Sequence, residues 1–226
     1  MWNTIIGAVT AAALALFLFR RYRREREKRH DEPGRFFRSA MDVLEDARFE
    51  DTGTIGYPRL AGRYRGLAVQ VLPVVDTLAI RRLPALWLLV TLQDALPLKA
   101  RFDLMMRPAG PTTFSNFDLL PFTVERPPQC PEHAVLKTDD PKHLLPAQVL
   151  APHLDVFRES QAKELLITPT GVRLVWLLAE ANRARYGVLR EADFGGADLD
   201  PILLRGLLDR LVAIRQSVLD WSRTGE

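Results

Sequence analysis

Residues 164–179 read ELLITPTGVRLVWLLA, and the reading of this stretch decides the fold. Glu164 to Thr168 and Val172 to Ala179 are short apolar runs separated by Pro169, Thr170 and Gly171, the chemistry of a tight turn between antiparallel strands. Leu174, Trp176 and Leu178 alternate with Val175, Leu177 and Ala179, so the second run is apolar on both faces and belongs in the middle of a sheet. Asn182 and Arg183 turn the chain once more, into a further run over 185–190.

On the C-terminal side, Asp200 as N-cap and Pro201 at the first helical position predict a helix to about Ser222. Leu204, Leu207, Leu208, Leu211, Ile214 and Val218 form its apolar stripe. On the N-terminal side, strands are expected over 57–65, 67–75, 77–82, 86–92 and 98–105, punctuated by Gly66, Pro73, Pro84 and Pro97. Their close spacing favours antiparallel pairing, because parallel strands need a long crossover. Residues 107–131 are Pro-rich and irregular. A short strand over 135–137 and a helical segment over 141–157, broken by Pro146 and Pro152, follow. Phe36, Phe37, Ala40, Met41, Leu44 and Ala47 recur at helical spacing and predict an amphipathic helix over 35–48. The expected fold class is α+β: an antiparallel sheet packed with helices over 35–226, preceded by a basic linker over 20–34 and a transmembrane anchor over 1–19.

The anchor rests on residues 4–19, TIIGAVTAAALALFLF, which carry no charge. A helix of 16 to 18 residues covers roughly 24 to 27 Å, just short of a hydrocarbon core of about 30 Å. A cleavable signal peptide would show a basic n-region and a small-residue cleavage site. Here the run ends in Phe17, Leu18, Phe19 and then Arg20, Arg21, Arg23 and Arg24, so a retained anchor is expected. Arginine on that flank predicts an outside N-terminus and a cytoplasmic domain on a bacterial inner membrane. The same four arginines are candidate contacts to the membrane surface, with the lipid bilayer as partner. Gly7, Ala11 and Ala15 share one helix face, a pattern that admits self-association.

The net charge of +3 first suggests a nucleic-acid or membrane partner. Residues 20–35 hold eight basic and four acidic side chains, so residues 36–226 carry 23 basic against 24 acidic ones. The basic character therefore belongs to the flank, and no nucleic-acid partner is expected.

Motifs for catalysis are sparse. Neither a phosphate-binding glycine loop nor a GxSxG elbow occurs. Asp139, Asp140 and His143, with His133 and His153 nearby, form the densest polar cluster and could assemble a metal or acid–base site. The same carboxylates ahead of Pro141 also read as a helix cap. Ser115 and Asn116 lie in the irregular stretch without a base at compelling spacing. Gly62 to Gly66 is basic but reads as a strand edge with a turn. Trp87 and Trp176 read as core. Cys130 is the lone cysteine and reads as inert. No cofactor is expected.

Beyond the uncharged N-terminal run, the segments YPRLAGRYRG, LPALWLLVTL, FSNFDLLP, LKTDDP and ITPTGVRLVW give the chain a layout that resembles single-pass bacterial membrane proteins of unknown function. The resemblance implies no site residues. A bacterial source also fits 26 Arg against 5 Lys, a bias of GC-rich genomes. The expected role is a membrane-tethered, non-enzymatic interaction or scaffold domain. The alternatives are a membrane-bound hydrolase or metal enzyme using Asp139, Asp140 and His143, and an anionic-lipid-binding domain using residues 20–29 with Arg59, Arg63 and Arg65.

Overall fold

The structure is a computed structural model that describes residues 14–17, 19–20, 35–50, 57–78, 83–189 and 192–224. Nine strands occur in chain order: β1 (Glu45–Glu50), β2 (Arg59–Tyr64), β3 (Leu67–Asp76), β4 (Ala85–Gln93), β5 (Phe102–Met106), β6 (Phe122–Val124), β7 (Ala134–Thr138), β8 (Ala162–Thr168) and β9 (Gly171–Glu180). They form one sheet in the order β1-β2-β3-β4-β9-β8-β5-β7-β6. Every neighbouring pair is antiparallel. β9, apolar on both faces, lies between β4 and β8.

Register separates the two faces row by row. One row crosses all nine strands as Phe49, Leu60, Val71, Val90, Leu174, Leu165, Leu104, Leu136 and Val124. The adjoining row, on the opposite face by strand alternation, runs Arg48, Ala61, Gln70, Thr91, Arg173, Leu166, Asp103, Lys137 and Thr123. The first face carries the main core. The second is polar in this row; in the next Leu72, Leu89, Val175 and Met105 are apolar, with Glu164 between Val175 and Met105.

Among the described residues the sheet is accompanied by α1 (Ala147–Leu150), α2 (Arg183–Leu189) and α3 (Pro201–Thr224). α3 starts where Asp200 Oδ1 accepts the Ile202 N–H at 2.8 Å, with Pro201 at its first position. It buries Leu204, Leu207, Leu208, Leu211, Ile214 and Val218 over β9 and β4. Each such side chain contributes about 1.5–3 kcal/mol of burial. Arg210 makes a two-pronged ion pair with Asp155 at 2.6 and 2.9 Å, and Arg215 pairs with Asp94.

Several expectations are corrected. The α+β class gives way to a chain dominated by a nine-stranded antiparallel sheet with few helices. The helix expected over 35–48 is one helical turn and a 3-10 turn at Met41–Val43, after which the chain becomes β1. Phe36, Phe37, Ala40 and Leu44 are buried, so the apolar spacing reported burial rather than a helix. The run expected over 185–190 is helical over 185–189, because Asn182 Oδ1 accepts the N–H groups of Ala184 and Arg185 and so caps α2, and residue 190 lies outside the described residues. Of the strand expected over 77–82, residues 77 and 78 are irregular and the rest lies outside the described residues.

The anchor is corrected as well. Among the described residues no helix is long and apolar enough to cross a membrane. Residues 14–17 and 19–20 are helical, and the other residues of 1–19 lie outside the described set. The transmembrane helix, the single-pass description and the inner-membrane location are therefore set aside.

Candidate functional site

The second face of the sheet is crossed by a strap. It leaves β5 at Met106 and passes through Arg107, Pro108, Ala109, Gly110, Pro111 and Thr112 to Thr113, whose hydroxyl lies 3.5 Å from the Val75 carbonyl on β3. β5 and β3 stand four strand spacings apart, about 19 Å. Seven residues reach at most about 24 Å, so the crossing is nearly extended. Two prolines favour that extended backbone. Gly110, at φ 91°, supplies a conformation that side chains resist.

Beyond the crossing, three side chains pin the strap to the sheet. Phe114 packs on Trp87 of β4 with ring centroids 5.0 Å apart. Ser115 Oγ donates to Glu164 of β8 and accepts the Phe117 N–H at 3.1 Å. Phe117 is buried, and the Lys137 ammonium sits 5.0 Å from its ring centre.

Beneath the pins lie two carboxyls sealed from solvent, with the half-buried Arg173 beside them. Asp103 and Glu164 are 2% and 1% exposed. Burial first, then the Glu164 charge beside it, pushes the Asp103 carboxyl up to about 9. Burial also raises Glu164, opposed by its bond from Ser115. Arg173 neighbours both carboxyls, and its Nε donates to Thr91 Oγ1 at 3.0 Å. At neutral pH Asp103 thus holds a proton, so the two neighbouring carboxyls do not both carry charge beside Arg173. That relieves the cost of burying two like charges together.

Between strap and sheet is a cleft of about 600 Å³. Trp87, Phe114, Leu83 and Leu177 supply apolar walls, and Thr112, Ser160 and Gln161 also line it. Asp76 and Glu180 lie on it where β3 and β9 end. Lys163 and Arg107 lie on it beside β8 and β5. Lys163 Nζ donates to the carbonyls of Met106 at 2.5 Å and Arg107 at 3.0 Å, which fixes the ammonium at that end. The Trp87 Nε1–H is buried and has no hydrogen-bond partner among the described residues. A smaller hollow by Arg48, Arg63 and Gln70 encloses about 210 Å³, below the usual size of ligand sites at about 300–1,000 Å³.

The residues singled out in the sequence are elsewhere. Asp139 Oδ1 accepts the Arg101 N–H at 2.7 Å, and its other oxygen faces the Arg101 guanidinium at 3.6 Å. Asp140 caps the 3-10 turn Pro141–His143 by accepting the Lys142 N–H, and meets His143 Nδ1 at 2.7 Å. That histidine bond, with the backbone donor, holds the Asp140 carboxyl below its ordinary value. Asp140 and His143 are therefore together while Asp139 turns to another loop, and no group of three metal-ligating side chains occurs among the described residues. Arg59 pairs with Glu50, Arg63 donates to the Gly66 carbonyl, and Arg65 pairs with Asp209. Arg20 is exposed on its short helix, whereas Arg21, Arg23, Arg24, Gly7 and Ala11 lie outside the described residues. Ala15 is helical and exposed.

Sequence reading missed Asp103, Glu164 and Arg173, each a charged residue inside an apolar strand. That mismatch is the signal that could have found them. Trp87, read as core, is a cleft wall.

Fold and site together define a class: a single-sheet, β-rich protein with a strap-roofed cleft. No family model and no curated protein matches the chain. Among solved structures, the mycobacterial trehalose monomycolate transport factor A is similar at 10% identity and a TM-score of 0.38, with 79% of this chain and 78% of that chain covered.

Proposed function

We propose that the chain is a non-enzymatic binding domain whose recognition site is the cleft beneath the strap. The observation that carries this reading is the cleft itself. It has the volume of a ligand site, apolar walls and a few polar groups at defined places.

Binding rather than chemistry is favoured by how the reactive groups are engaged. Ser115 has a carboxylate partner, but Glu164 is 1% exposed and opens to no substrate. Asp139 and Asp140 are turned to structural partners.

The test is a fragment screen by NMR on the isotope-labelled chain. Shift changes clustered on Trp87, Phe114 and Leu177 are expected. Ala85→Trp, which fills the cleft, should remove them while leaving the rest of the spectrum folded. A screen in which no fragment perturbs the cleft would refute the reading.

A further inference from the structure

Resting on that reading, the geometry points to the ligand: a short extended peptide of four to five residues with a cationic N-terminal end and a free C-terminal carboxylate. Two features of the cleft select it.

The first is the separation of charge. Asp76 and Glu180 share a cross-strand row through Ala85 at one end of the sheet. Lys163 lies just past Ala162, which pairs with Trp176, so Glu180 is offset from it along β9 by about 13 Å at roughly 3.3 Å per residue. Arg107 stands beside Lys163, whose ammonium is held by the Met106 and Arg107 carbonyls. The cleft is thus a dipole, acidic at one end and basic at the other, with Trp87, Phe114 and Leu177 on its walls. An anion alone or a cation alone would satisfy one end and leave the other facing apolar ligand surface.

The second is length. An extended chain advances about 3.3–3.6 Å per residue, so four to five residues reach from one charged end to the other. Between the two ends the ligand would run along Trp87 of β4, which lies beside Leu177 of β9. Side chains pointing to alternate sides would meet Phe114 of the strap and Leu177 of the sheet.

The experiment is calorimetric titration of the full chain with a leucine- and alanine-containing pentapeptide in four forms: free termini, N-acetylated, C-amidated and doubly blocked. Each block should weaken binding by about tenfold, the scale of one charge-assisted hydrogen bond. Glu180→Gln should erase the cost of acetylation and Arg107→Gln the cost of amidation, each without changing the other. Both side chains are exposed, and thermal melts of the variants should match the parent. Trp87→Phe should weaken all four forms alike. A pentapeptide carrying lysine at its first position, acetylated, tests whether a side chain can serve as the cationic end; recovered affinity identifies it. Equal affinity of all four forms would overturn the charge-matched peptide and leave the binding site standing. Fragment binding with no peptide binding would overturn it too. Silence of both would remove the peptide and the binding reading together.

Discussion

The Ser115 hydroxyl donates to the buried Glu164 carboxylate, joining the segment that follows the strap to a sheet strand 49 positions further along the chain. The bond serves two needs at once. Glu164 gains a donor where water cannot reach, and the chain beyond the strap is fastened at one point.

Ser115→Ala should therefore act on both. Removing the donor strips a buried carboxylate of a partner, at a cost of about 1–3 kcal/mol in denaturant unfolding. Amide exchange should quicken over 107–121 and stay unchanged in α3. Unaltered exchange in the strap would mean that the phenylalanines alone hold it.

Asp103 gives a pH dependence of definite sign. Its folded value is about 9, far above the ordinary 3.8, so the native state keeps a proton that the unfolded chain releases near pH 4. The native state binds more protons between these values, and stability attributable to this group falls as pH rises from about 4 to 9. Asp103→Asn mimics the protonated form. Its melting temperature should approach the parent's at pH 5 and exceed it at pH 9. Parallel melting curves against pH for the two proteins would exclude the buried proton.

Gly171 opens β9 at φ 151°, and a Cβ added there would lie 2.2 Å from the Leu92 carbonyl oxygen. Backbone on both sides leaves little room to yield. Gly171→Ala should cost about 1–3 kcal/mol, the scale of overpacking. Gly206→Ala, where nothing lies within 4 Å, serves as the control and should not destabilise. Urea midpoints of the two variants decide the matter.

Cys130 is 4% exposed, and burial raises its thiol above the ordinary value. A thiol-specific chromophoric reagent at neutral pH should label it only after denaturation. Rapid labelling of native protein would contradict the packing at residues 126–131, where Arg126 clasps the Cys130 carbonyl at 3.0 Å.

Legibility in the sequence followed the reach of local rules. The 164–179 turn and α3 could be read because their signals lie within a few residues: a turn dipeptide, a cap, a periodic stripe. β1 could not, since its EDARFE run has the charge of an exposed edge and none of the alternation of a half-buried strand. The strand expected over 67–75 returns as β3 with Pro73 inside it, paired with Leu88 of β4 at a point where the β2 pairing has already ended at Val71. The network was illegible for a different reason. Asp103, Glu164 and Arg173 come from three strands, and register alone assembles them. Ser115 was noticed as a nucleophile without a base; its carboxylate was simply too far along the chain to be paired by spacing.

The order of strands has a consequence for synthesis on the ribosome. β4 and β5 follow one another in sequence, yet the hairpin of β8 and β9 stands between them in the sheet. The first four strands can pair as they emerge, but β4 then presents the open edge of ALWLLVTLQ until Gly171 and its successors arrive. At ~5–20 residues per second that wait is on the order of ten seconds, during which an apolar edge is available to strangers. A nascent chain halted before β8 should consequently recruit chaperones, or aggregate without them, and the last third of the polypeptide is what closes the seam.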